Sequence, residues 1–129
     1  MPNNNNSNGG SKDGNKRPFD LEERTLEFAK EVIRLCNKLP NTRINGELIS
    51  QTVRAGGSVG ANYREANDTQ TKKDFVYKTG ICLREAKEVN LWLQLVLVAN
   101  PNLKAEVDQL LQETIELKKI FATIISKSR

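Results

Sequence analysis

The stretch Arg54-Ala55-Gly56-Gly57-Ser58-Val59-Gly60-Ala61-Asn62 is chemically the most unusual part of the chain. Its glycines would cradle a phosphate if they followed a strand and opened a helix. They fall instead inside a segment with helical spacing, where each glycine costs about 1 kcal/mol relative to alanine. Something must offset that cost. Gly56 and Gly60 lie four residues apart and strip side chains from one face, so another helix or another subunit can approach to backbone distance. With Tyr63 they read as a packing face, in preference to a ligand groove built on the same bareness. On the adjoining face Arg54, Ser58, Asn62 and Glu65 follow helical spacing. Two readings stand: an internal polar network that fixes helix register, which is preferred, or a binding site.

A second constellation is basic. Arg64, Lys72, Lys73, Lys78, Arg84 and Lys87 surround the connection between the second and third helical segments and could form a rim that meets phosphates. Glu65, Asp68, Asp74, Glu85 and Glu88 are interleaved with them, which by itself describes a solvated mixed-charge surface. Aromatic residues make up 5% of the chain. Only Tyr63 and Tyr77 lie near this rim, so no base-stacking platform stands out.

Catalytic chemistry has little to work with. The chain has no histidine, which removes the commonest general base and metal ligand. Glu85 and Glu88 are three apart, but no Glu-x-x-His pair accompanies them. Cys36 and Cys82 lie far apart in helical patterns and read as small core residues. No catalytic residue, metal site or cofactor is expected, and the chain is not expected to be an enzyme.

The elements that must position these residues are helices. Asp20 and Glu23 have the spacing of a capping box. Leu21, Thr25, Phe28, Val32, Leu35 and Leu39 then recur at four- and three-residue steps until Pro40 stops the run. A second helix is predicted from Asn45 to about Ala66, with Leu48, Thr52, Ala55, Val59 and Asn62 on one stripe and Ile49, Val53, Gly56, Gly60 and Tyr63 beside it. Thr71 and Asp74 mark the start of a third, in which Phe75, Thr79, Cys82, Ala86, Val89, Leu93 and Val96 form the strongest periodicity in the chain. Asn100-Pro101 reads as an N-cap followed by proline at the first helical position. The fourth stripe is Leu103, Val107, Leu110, Thr114, Leu117, Phe121 and Ile124. Short connections leave no room for crossovers, so the spacing predicts an all-α, antiparallel up-down-up-down four-helix bundle over residues 19–129.

Length and composition agree with one domain. The chain has 129 residues, 37% hydrophobic and 28% charged, enough for a single core. No apolar run approaches the ~18 residues of a membrane span. Residues 1–18 are rich in Asn, Gly and Ser, read as a disordered tail, and hold no apolar core of a secretory signal, so a cytoplasmic location is expected. The net charge is +4. The tail carries three basic residues and one acidic, or +2; the remainder carries 17 basic and 15 acidic, also +2. Charge alone therefore does not establish nucleic-acid binding.

Three runs carry a family resemblance: SVGANYREA from Ser58 to Ala66, TKKDFVYKTGICLREAKEVNLWLQLV from Thr71 to Val96, and the final LLQETIELKKIFATIISKSR. Together they resemble bacterial four-helix-bundle proteins related to the ribosomal-RNA intervening-sequence protein. The resemblance implies a homo-oligomer, typically a ring-like pentamer. It also extends to the accessory variability protein of diversity-generating retroelements, which binds a reverse transcriptase and nucleic acid. Where the common family pattern runs Ala-Asn-Ile-Ala-Glu-Gly, this chain reads Ala61-Asn62-Tyr63-Arg64-Glu65-Ala66, which places it in a different subgroup.

The expectation is thus a non-catalytic homopentameric scaffold that binds RNA, DNA or a nucleic-acid enzyme such as a retroelement reverse transcriptase through basic residues repeated around a ring. The alternative is a structural protein-interaction module with no nucleic-acid binding, for which Trp92 and Leu95, off the main core repeat, are the candidate surface.

Overall fold

The computed structural model describes residues 20–128; the expected tail over residues 1–18 lies outside them. Four helices carry the fold: α1 (Leu21–Cys36), α2 (Arg43–Asn67), α3 (Lys72–Ala99) and α4 (Lys104–Ser128), the last preceded by a 3-10 turn at Pro101–Leu103. Among the described residues there is no strand, and they form an all-α helical bundle.

Local chemistry sets the boundaries. Asp20 accepts from the Glu23 backbone N–H at 3.3 Å, Thr42 caps α2 through the Asn45 N–H, and Thr71 caps α3 through the Asp74 N–H. Capping by Thr42 starts α2 at Arg43 rather than at the predicted Asn45. The first helix is also shorter than its stripe suggested. It ends at Cys36, and Lys38 and Leu39 turn back with three-residue bonds to Leu35 and Cys36, because the residue before a proline is driven out of helical geometry. Leu39 stays buried nonetheless.

Asn100 holds the expected N-cap position, with Pro101 at the first helical position, but not by a side-chain cap. Its side chain turns inward to Asn45, while Pro101 opens the 3-10 turn closed by Leu103 N–H to Asn100 O. Only after that turn does α4 begin.

The predicted stripes meet in one core. Phe28, Val32, Val59, Cys82, Ala86, Val89, Leu93, Val96, Val107, Leu117 and Phe121 are all buried. In the last turns Ile125, rather than Ile124, is the buried position. Each helix also contributes one fully buried threonine: Thr25, Thr52, Thr79 and Thr114. A buried hydroxyl without a partner is costly, and each of these donates to a carbonyl of its own helix, Leu21, Leu48, Phe75 and Leu111 respectively, at 2.6–2.8 Å.

Candidate nucleic-acid interface

The glycines of α2 bring its backbone against α1. A Cβ on Gly60 would lie 2.8 Å from Thr25 Oγ1, and one on Gly56 would lie 3.3 Å from a Val32 methyl. Gly57, between them in sequence, faces open space. Tyr63 turns inward and sets its ring 6.0 Å from Phe121, tilted by 47°. Burial pushes its phenol pKa above the usual value. The packing face of Gly56, Gly60 and Tyr63 is thus filled by helices of the same chain.

The polar row of Arg54, Ser58, Asn62 and Glu65 on α2 is bonded partly along its own helix and partly across to α3. Ser58 and Asn62 spend their donors on carbonyls four residues back, at Arg54 and Ser58. The two charged residues reach across to α3 instead. Arg54 pairs with Glu88 and stands 3.8 Å from Glu85; Glu65 receives Lys78 at 2.6 Å. Glu85 Oε1 is buried without a hydrogen-bond partner, with Arg54 as its neighbouring charge.

These ion pairs organise α3. At about 100° per residue, Lys73, Tyr77, Gly80, Arg84 and Lys87 fall within an arc of roughly 80°, opposite the buried stripe of Thr79, Cys82, Ala86 and Val89. Asp74, Glu85 and Glu88 lie on the flank toward α2, where Arg54 engages two of them. The interleaving seen in sequence is therefore resolved into two stripes, with cations outward and carboxylates sideways. Lys73, Arg84 and Lys87 are exposed, and no ion pair involves them among the described residues. Tyr77 stands among them, 67% exposed.

The remaining basic residues do not join this ridge. Lys78 is drawn to Glu65 on α2. Lys72 shares the opposite flank with Asn90, five turns on, whose amide donates to Thr114 of α4. Arg64 is exposed on α2 itself. Half of the predicted rim is one surface and half is scattered.

Beyond Lys87 the same outward ridge becomes apolar. Leu91, Leu95 and Val98 are 50%, 39% and 79% exposed. Sequence reading named Leu95 and missed Leu91 and Val98, although their four- and three-residue steps continue directly from Lys87. Trp92, also named, is half-buried and donates its indole N–H to Glu88 Oε2 at 3.2 Å. It holds the carboxylate that Arg54 also holds.

No group of three or more Cys, Asp or Glu side chains among the described residues could hold a metal. The thiols of Cys36 and Cys82 are pushed up by burial to about 11 and about 12, far from the nucleophilic thiolate range. No helix among the described residues is long and apolar enough to cross a membrane.

The class so defined is an all-α helical bundle with a cationic ridge on α3. The chain belongs to the 23S rRNA-intervening sequence protein family, whose model matches residues 18–123. It is similar to a protein of unknown function from the S23 ribosomal protein family of Bacteroides thetaiotaomicron VPI-5482, known from a crystal structure. The two are 31% identical, the match covers 81% of this chain and 97% of the other, and the TM-score is 0.74. No curated protein matches the chain.

Proposed function

We propose that the chain is a non-catalytic, cytoplasmic homo-oligomeric scaffold that binds nucleic acid, or an enzyme acting on nucleic acid, along the outward ridge of α3. The observation that carries this reading is the separation of charge on α3: Arg54 engages Glu85 and Glu88 on the flank, and Lys73, Arg84 and Lys87 face solvent on the adjoining stripe. A family named for an intervening sequence of 23S rRNA supports a ribosomal-RNA-related ligand. Family resemblance favours a ring-like pentamer, in which each cationic ridge repeats around the assembly and a mild monomer charge becomes a continuous field. A retroelement reverse transcriptase is the partner that the same resemblance suggests.

The bundle proposed for this scaffold is antiparallel and up-down-up-down. Residue pairs between neighbouring helices run in opposing order: Gly60 with Thr25 and Gly56 with Val32, Lys78 with Glu65, Arg54 with Glu88, Arg24 with Glu113 and Lys38 with Glu106.

The test is nucleic-acid affinity across salt. Three cations per protomer engaging phosphates of a single strand give a slope of log K against log salt of about −2, from roughly 0.7 × 3. Arg84→Glu with Lys87→Glu is expected to remove most of the low-salt binding while leaving the helical content unchanged. Undetectable binding of mixed RNA and DNA at low salt by the unaltered protein would defeat the proposal. The second reading, a protein-interaction module without nucleic-acid binding, draws on Leu91, Leu95 and Val98, since three large apolar side chains on the most outward ridge of a helix mark a contact surface.

A further inference from the structure

Tyr77 differs from the other tyrosine of the chain. Tyr63 is committed to Phe121, whereas Tyr77 stands 67% exposed with no hydrogen bond holding it to a neighbour among the described residues. One turn further along the same ridge is Gly80, where an added Cβ would meet nothing within 4 Å. The helix surface beside the ring is therefore bare. Beyond that bare turn come Arg84 and Lys87, and before the ring comes Lys73. The distance from Lys73 to Arg84 along the axis is roughly 16 Å, so cations bracket a single exposed ring.

Glycine inside a helix costs stability relative to alanine, and at Gly80, unlike Gly60, no neighbouring atom lies within 4 Å of where the side chain would begin. What the missing side chain does leave is room for a flat group over the ring. A planar guanidinium one turn beyond, on Arg84, can stack on the same group from the other side.

We infer that α3 binds single-stranded nucleic acid with one unpaired base stacked on Tyr77 over the Gly80 shelf, and with flanking phosphates on Lys73, Arg84 and Lys87. The inference rests on the proposed nucleic-acid function and names its ligand class. A duplex keeps its bases stacked on each other and offers the ridge only phosphates, so it gains nothing from the ring. Stacking on an aromatic face is tolerant of sequence, and the ridge has no side chain set to read base edges.

The experiment is fluorescence anisotropy at low salt with a labelled single strand of about twelve nucleotides, as RNA and as DNA, beside a duplex and an abasic strand of equal length. Tyr77→Ala is expected to weaken single-strand binding roughly tenfold, Tyr77→Phe to leave it unchanged, and the abasic strand to bind the unaltered protein as weakly as the normal strand binds Tyr77→Ala. Gly80→Gln, which covers the shelf while favouring the helix, should weaken single-strand binding and leave duplex binding alone. If Tyr77→Ala binds single strands as tightly as the unaltered protein while Arg84→Glu with Lys87→Glu does not, stacking is overturned and the phosphate-binding function survives. If no strand binds any form of the protein, the functional proposal falls together with the inference.

Discussion

Asn45 and Asn100, at the start of α2 and the end of α3, exchange reciprocal amide hydrogen bonds of 3.1 and 2.9 Å across the interior. Each is 3% exposed. Their remaining donors go to Pro40 O and Val96 O, so all four amide hydrogens are used. A buried polar pair that is fully satisfied fixes the register of two helices.

Removing one member leaves the other unsatisfied. Asn45→Ala is expected to destabilise the fold by about 1–3 kcal/mol, measured by urea unfolding. The double variant with Asn100→Ala should cost clearly less than the two single costs added together. Strict additivity would show that the amides do not act as a pair.

Gly60→Ala is expected to be destabilising by about 1–3 kcal/mol, because the new methyl would overlap Thr25, whose hydroxyl is tied to Leu21 O and Glu22 O. Gly57→Ala meets nothing and should stabilise by about 0.5–1 kcal/mol through helix propensity. Gly56→Ala, against the movable end of Val32, should fall between. Thermal melts of the three variants check the order.

How much of this was legible in sequence follows from what periodicity can encode. All four buried threonines sit on the stripes read from the sequence, because burial repeats with the helical turn whatever the side chain is. The close approach at Gly56 and Gly60 was also visible, since three glycines in a helix need a reason. Direction around the helix was harder. The basic residues near the second connection looked neutralised by their acidic neighbours along the chain; helical spacing separates the two sets, and the pairing of Arg54 with Glu88 identifies what the carboxylates face. Asn100 does hold the N-cap position ahead of Pro101, but its side-chain partner was not legible, because Asn before Pro has the same sequence whether its amide caps the helix or pairs with a distant amide.

Glu88 predicts a pH response. The hydrogen bond from Trp92 and the pairing with Arg54 hold its carboxyl below the ordinary value of 4.5. A folded pKa that is lowered contributes stability at pH above the unfolded value and loses it as pH falls through the folded one. Trp92 is the only tryptophan, so its emission should change in acid below pH 4.5. Glu88→Gln keeps an acceptor without a titrating group and should abolish that step. An unchanged step in the variant would assign it to another carboxylate.

Cys36 and Cys82 are buried thiols with pKa values raised to about 11 and about 12. Alkylation at pH 8 is expected to be slow in the folded protein and rapid in denaturant, and mass spectrometry of a labelling time course measures both. Immediate modification of either thiol in the native protein would contradict its burial.

The most direct test of the scaffold account is light scattering of the purified chain at low and high salt, with and without a short single-stranded RNA. The account predicts a pentamer-sized species at both salts that gains mass with RNA only at low salt, and loses that gain on Arg84→Glu with Lys87→Glu. A monomer, or an assembly of unchanged mass with RNA at low salt, would contradict it.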